Sequence, residues 1–515
     1  MTNMVQQMMY PNRRSFLGGV AAIAGLAATA HGFAHVERGG GRPFSRQTVL
    51  DEARGLAGRP YEPPAPVDSR LTGLDYDSYR QIRYRKDKAI WGGSPTRFSV
   101  ELFAPGFLFE SGVDLFIVEN GLSLPVDVGP DSFDVPDPAL GALLADGGKF
   151  AGFRLHYPVN RSDYSDEFVV FQGASYFRAV SAGQSYGLSA RGLAVDVAEP
   201  TGEEFPVFRR FWIERPSARS GNIVVHALLD SEGVTGAYRF GIYPGAPTVI
   251  DVEATLFARR ELTHIGFGGL TSMFMFGPVD GPDQPDYRPA VHDSQGLCML
   301  TGRGEWLWRP LANPAALQVS AFVDENPKGF GLVQRARGFN RYQDLEAYYH
   351  RRPSCWIAPV GDWGPGHVQL VEIPSASEIN DNIVAYWRPA VPLKPGQETR
   401  FAYRQTWPDS IVPDSPRLGH VIRSAYGLSL EGGFPQMTID YDFHGWQPSD
   451  TMDAEVSVSA GRLVNTVLQP NPVTGGVRMF LTFDPQDADV VEIRALPMRG
   501  GAPLGETWLY RWLRA

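Results

Sequence analysis

The sequence predicts an all-β fold, one large β-sandwich followed by a smaller one. Three observations predict it. Short stretches alternate apolar and polar side chains, 56 Gly and 42 Pro supply frequent turns, and aromatics make up 12% of the chain. Only three segments carry a helical period. At 515 residues the chain exceeds one ordinary core, so at least two domains are expected.

Residues 1–30 are expected to be an export signal rather than part of the fold. "NRRSFLGG" places Arg13 and Arg14 ahead of a short Ala- and Gly-rich apolar run that ends in Ala28-Thr29-Ala30. Paired arginines, a short apolar core and a small-residue cleavage site point to the twin-arginine export machinery as a partner. The run is too short and too small-residue-rich to span a membrane comfortably, and no later stretch reaches a transmembrane length.

The large sandwich is expected over residues 40–407. "SRQTVLDEARGLA" (45–57) puts Val49, Leu50, Ala53, Leu56 and Ala57 on one helical face, with Gly58 as the stop. "DPALGALLADGG" begins with Asp137 as N-cap and Pro138 in the first turn, and stops at Gly147. "YQDLEAYYHRR" (342–352) reads as a third short helix. The rest reads as strands and turns. "FRLHY" (153–157) alternates, and in "FAYRQTW" Phe401, Tyr403 and Gln405 oppose Ala402, Arg404 and Thr406. Residues 408–419, "PDSIVPDSPRLG", carry three prolines and no period, as a linker would. Beyond it, "MTIDYDFH" and "VRMFLTF" alternate cleanly and the chain closes on Trp508, Tyr510 and Trp512. About seven short strands over residues 420–515 fit an immunoglobulin-like sandwich.

Composition narrows the function. Loss of residues 1–30 removes Arg13 and Arg14, leaving 45 basic against 57 acidic residues. So acidic a protein is repelled by phosphate backbones, which argues against nucleic acid as a partner. Two cysteines, Cys298 and Cys355, are too few for a disulfide scaffold, and either one bridge or two buried thiols would suit them. There is no G-x-S-x-G elbow, H-E-x-x-H, phosphate loop or dinucleotide fingerprint, and the ten histidines show no metal-ligand spacing, so no metal or cofactor is expected.

What remains is carboxylates beside aromatics. "VEIPSASEINDNIVAYW" (371–387) holds Glu372, Glu378 and Asp381 around a polar connection, 374–382, between two apolar runs. Loops on a rigid sheet often carry site residues, although Asp and Asn there more often close turns. "YRPAVHDSQGL" offers Asp293 between His292 and Ser294, with the same two readings. "GRGEWLWRP" carries Glu305, Trp306 and Trp308, where buried core tryptophans are the simpler account.

Taken together, "SYFRAVSAGQSYGLSARGLAVD", "GEEFPVFRRFWIERP", "LTSMFMFGP", "YRPAVHDSQGL", "GEWLWRPL", "ENPKGFGLVQR" and "EINDNIVAYW" resemble the periplasmic glucan biosynthesis family, the G and D proteins of osmoregulated periplasmic glucan synthesis. The resemblance runs from about residue 45 to the C-terminus, densest between 150 and 390, and the twin-arginine pattern is most like the D-type member. It implies a galactose-mutarotase-like β-sandwich before the immunoglobulin-like one, a periplasmic location, and β-1,2-glucan as ligand. It also implies hydrolysis with inversion, with Asp381 as general acid, Asp293 as base and Glu378 beside the acid. Tyr349 would sit in a loop covering the cleft, and Glu305, Trp306 and Trp363 would line it. Ile379 stands where the family motif leads one to expect Thr. Repulsion between Glu378 and Asp381 would keep a proton available on one of them. Two other readings fit the same fold: a glucan-binding accessory protein without turnover, and a mutarotase-like epimerase, which lacks a suitable His–Glu pair.

Overall fold

The computed structural model describes residues 41–129, 131–282, 284–409, 412, 418–443 and 452–514. The expected signal with Arg13 and Arg14, and most of the expected linker (410–411 and 413–417), lie outside the described residues. The chain is mostly strand, arranged in several sheets, as the alternation predicted. It divides into two compact units: residues 1–271 with 359–366 and 386–407, and residues 272–358 with 367–385 and 408–515. Among the described residues no helix is long and apolar enough to cross a membrane.

In the first unit two sheets face each other. One runs, in spatial order, Leu122–Pro125, Asp114–Glu119, Val207–Glu214, Ile223–Asp230, Val234–Tyr243, Thr248–Ala258 and Glu398–Trp407. The neighbours are antiparallel except Asp114–Glu119 with Val207–Glu214, which are parallel. The other runs Ile265–Ser272, Ser189–Arg191, Tyr176–Ala179, Tyr164–Gln172, Gly152–Arg161 and Ser99–Phe103. Alternation sends Phe153, Phe171 and Phe177 from one sheet against Phe211 and Phe240 from the other, with ring centroids 5.0–5.6 Å apart. These edge-on ring pairs, all nearly fully buried, form the core of the sandwich.

Two of the three expected helices form. Arg46–Ala57 buries Val49 and Ala53 on Trp212, Leu228 and Phe257, and ends at Gly58. Pro138–Gly147 starts under the Asp137 carboxylate, which accepts from the Ala139 N–H at 2.9 Å. It runs one residue past the expected stop, to a cap at Gly148 with φ of 59°. The third does not form. Over 342–352 the only helical turn is the 3₁₀ turn Tyr349–Arg351, preceded by a second at Phe339–Arg341. Gln343 and Tyr348 adopt positive φ, and the Asp344 carboxylate takes the Glu346 and Ala347 N–H groups into a turn, so a continuous helix cannot propagate.

In the second unit Gly296–Leu300 lies between Trp306–Pro310 and Gly329–Val333, both antiparallel to it. Gly296 is required by packing: a Cβ there would lie 2.4 Å from the Trp308 ring. Trp306–Pro310 pairs parallel with Thr507–Leu513, which continues to Val490–Arg499 and Met452–Val458. His420–Leu428, Pro435–Asp442, Gly476–Asp484 and Arg462–Asn471 form a separate four-stranded sheet. The predicted alternation holds: Met437, Ile439, Tyr441, Val477, Met479, Leu481 and Phe483 are all 0% exposed. They share one core with Trp306, Trp308, Trp356 and Trp508. Cys298 and Cys355 are buried and not joined by a disulfide.

Candidate active site

The site is built around three consecutive residues, Ser272, Met273 and Phe274. In an extended segment, successive residues point their backbone N–H and C=O groups to opposite edges. On one edge the Ser272 carbonyl accepts from the Asn382 N–H at 3.0 Å, and Phe274 exchanges two bonds with the Asn382 amide, at 2.8 and 2.9 Å. On the other edge the Met273 carbonyl accepts from the Asp293 N–H at 2.8 Å. The Ser272 and Ser294 hydroxyls meet at 2.8 Å. Asp293 and the residue following Asp381 therefore flank one segment from opposite sides, roughly 10 Å apart at the backbone from two interstrand spacings.

The polar connection 374–382 joins the strands Pro365–Glu372 and Ile383–Pro389, as expected. Its mouth is closed by the Ile373 N–H on the Asn382 carbonyl, 2.8 Å. Serine hydroxyls shape its turn: Ser375 Oγ donates to the Ser377 carbonyl at 2.9 Å, and Ser377 Oγ accepts from the Ile379 N–H at 3.3 Å. Asn313 holds the loop from outside through both backbone groups of Ser375, at 2.8 and 2.9 Å. Asp381 is 4% exposed and Asp293 0%.

Aromatic rings pack over the Asp293 side. His292 stacks on Phe274 at 5.3 Å and meets the edge of Tyr342 at 5.2 Å. Burial pushes its imidazole down to about 4, so at neutral pH it is an uncharged spacer. Tyr349 is buried, 6.1 Å from Tyr342 between ring centroids, and the Arg352 guanidinium lies over its ring at 5.6 Å. Arg352 Nε is also 3.6 Å from Asp293 Oδ1, giving that carboxylate a counter-ion. Gln334 fixes the arrangement by donating to the His292 and Tyr349 carbonyls at 3.0 and 3.2 Å.

Glu378 shares the loop with Asp381, but its charge is met by Arg288 Nη1 at 2.8 Å. That compensation weakens the repulsion by which Glu378 was expected to act on Asp381. Glu372 is structural: at 1% exposure it pairs with the buried Arg309 at 3.2 Å and accepts from the Ala312 N–H at 2.8 Å.

The remaining expected site residues are not drawn into this group. Glu305 pairs with Arg494 and accepts from Thr507 Oγ1 at 2.7 Å. Trp306 stacks on Trp356 at 5.6 Å within the core, as the simpler account had it. Both sit where Trp306–Pro310 pairs with Leu300, about 13 Å along the strand from Gly296 and so far from Asp293. Trp363 belongs to the first unit, where its indole N–H donates to the Ala402 carbonyl at 3.2 Å and its ring meets Phe267, Phe401 and Tyr403 edge-on. Among the described residues no group of three or more His, Cys, Asp or Glu could hold a metal ion.

Sequence reasoning passed over Asn382, Arg288, Gln334 and Arg352. All four lie inside stretches quoted above, but the partners that join one segment to another are remote in sequence and leave no local period.

Comparison with known proteins accounts for the motifs. The chain matches the family described as "Periplasmic glucan biosynthesis protein, MdoG" over residues 44–512. It is 49% identical over 498 residues to "Glucans biosynthesis protein G 2" of Shewanella oneidensis, covering 97% of this chain and 94% of that protein. It is 47% identical over 475 residues to "Glucans biosynthesis protein G" of Vibrio cholerae, covering 91% and 87%. It is 45% identical over 510 residues to the protein of that name in Rhodopseudomonas palustris, covering 97% and 99%. These relatives bear the G name, so the D-type likeness rests on the N-terminal pattern alone. The chain belongs to the periplasmic glucan biosynthesis protein family.

Proposed function

We propose that this chain is a periplasmic β-1,2-glucan hydrolase that shapes the glucan backbone with inversion at the anomeric carbon. Asp381 gives its proton to the glycosidic oxygen, and Asp293, as carboxylate, takes the proton of a water attacking the opposite face of the sugar. Inversion needs two carboxyl groups about 6.5–9.5 Å apart, leaving room for that water. The observation that carries this reading is the anchoring of the Asp293 and Asp381 loops to opposite edges of Ser272–Phe274. Arg352 beside Asp293 suits a group that must act as carboxylate.

The experiment is incubation of the mature protein with linear β-1,2-glucan, following product length and anomeric form. Asp381→Asn and Asp293→Asn should each lower cleavage by at least about 10²-fold while binding largely survives. Parent-like cleavage by Asp381→Asn would return the loop to a mere turn. A parent that binds glucan without cleaving it would instead be a glucan-binding accessory protein of the same synthesis.

We also propose export by the twin-arginine route, read from Arg13, Arg14 and the small-residue run to Ala30. Lysine at both positions should hold the precursor in the cytoplasm, because an ammonium does not reproduce paired guanidinium groups. Normal periplasmic yield of that variant would remove the claim.

A further inference from the structure

We infer that Arg288 is a positioning residue that sets the two halves of the site together. Three carboxylates from three separate segments converge on the guanidinium of this side chain, which is only 13% exposed. Asp286, two residues before it in the chain, takes Nε and Nη2 side by side at 3.0 and 2.8 Å, which fixes the plane of the fork. Nη1 then reaches two partners at once: Asp344 Oδ2 at 3.0 Å and Glu378 Oε2 at 2.8 Å.

Those two partners belong to the opposite sides of the site. Asp344 organises the segment that packs over Asp293. Its other oxygen accepts from the Glu346 and Ala347 N–H groups at 2.8 and 2.7 Å. On either side of that turn the segment sends Tyr342 to His292, and Arg352 to Asp293. Glu378 lies in the loop that carries Asp381. One nitrogen therefore ties the cover over the base to the loop of the acid. Arginine is the side chain that does this: its rigid fork serves Asp286 with two N–H groups and leaves a third nitrogen for the others, whereas lysine offers one compact charge. Burial would raise the Asp344 carboxyl, but the two N–H groups and Arg288 bring it below its usual range, so it stays charged and the tie persists at neutral pH.

The consequence is mechanical. A shift of the cover, as when a glucan chain enters or leaves, is transmitted to the acid loop without passing through the Ser272–Phe274 backbone. This inference rests on the hydrolase reading for its kinetic consequence but not for its structural one.

The test uses the full mature chain and two variants, Arg288→Lys and Asp344→Asn. Amide hydrogen exchange is measured at 344–347 and at 377–382, with Gly296–Leu300 as the internal reference. Each variant should speed exchange in both segments, by about ten-fold or more, and leave the reference strand unchanged. The double variant should be no worse than either single one, since both remove the same tie. On β-1,2-glucan, kcat should fall by about 10- to 100-fold while KM stays nearly constant, as expected when a reacting group is misplaced and substrate affinity is kept. Faster exchange confined to one segment, or additive effects in the double variant, would overturn the coupling. A parent without turnover would overturn the hydrolase reading and leave the exchange result to decide the coupling.

Discussion

Two regions of the second unit hold buried or partly buried acids in opposite ways. At Glu506 the carboxylate itself is the tie: it pairs with Arg335 and accepts from the Val421 N–H at 2.7 Å, and His420 lies 3.6 Å away. The adjacent Thr507 hydroxyl binds Glu305, which also pairs with Arg494, so that acid too serves as a fastening. In the Asp381 loop the neighbouring Asn382, through its amide and backbone, carries five of the bonds that seat the loop. At Asp293 the backbone N–H makes the tie to Met273, while the carboxylate faces Arg352 at 3.6 Å. An acid whose carboxylate holds the fold has a protonation state dictated by the fold. Where a neighbour's amide or the acid's own backbone seats the loop, exchanging the carboxylate for an amide leaves those seating bonds in place.

The sharpest test of that contrast is at Glu506. Burial alone would raise its carboxyl, but Arg335 and His420 bring it down to about 2 from an ordinary 4.5. A depressed acid stabilises the fold above its ordinary value, and that stability is lost as pH falls from about 4.5 through about 2. The loss should be on the order of 3 kcal/mol for a displacement of this size. Denaturant midpoints of the parent at pH 7 and pH 3 should show the larger part of it, and Glu506→Gln should be weaker at pH 7 with a flatter response below pH 5. An unchanged acid response in Glu506→Gln would mean that some other group carries it.

Glu305 should give the smaller effect. Its side chain and that of Arg494 are each 40% exposed, so solvent screens the pair and Glu305→Gln should cost less than about 1 kcal/mol. Turnover on β-1,2-glucan should stay within about two-fold of the parent, the pair being a surface fastening. A large loss of turnover would place Glu305 in the reaction and break the contrast.

How much of this was legible depends on distance along the chain. Strands with one buried face declare themselves, and the alternation of Met437, Ile439 and Tyr441 marks the buried face directly. Capping made two helices equally plain, through Asp137 and Gly58. The segment 342–352 misled because its apolar spacing suits a helix, while Asp344 diverts the backbone into a turn that answers to Arg288. Asp381 and Asp293 stand out as site candidates only through whole motifs; as isolated letters they read as turn residues. Trp306 could be read as core from its size, and is. The sharing of one core between the strands after 420 and those around 296–310 has no signature in either stretch alone.

The three-residue segment Ser272–Phe274 acts as a ruler. Because the loops of Asp293 and Asp381 both hang from its edges, the interval between them is one set by the width of a β-sheet and not by the length or composition of either loop. Residues such as Ile379, exposed on the turn of the Asp381 loop, then take no part in setting that interval. On the proposed hydrolase reading, the spacing of the two acids and the exposed face of the loop are then written on different parts of the sequence, and one can be redesigned without recalibrating the other.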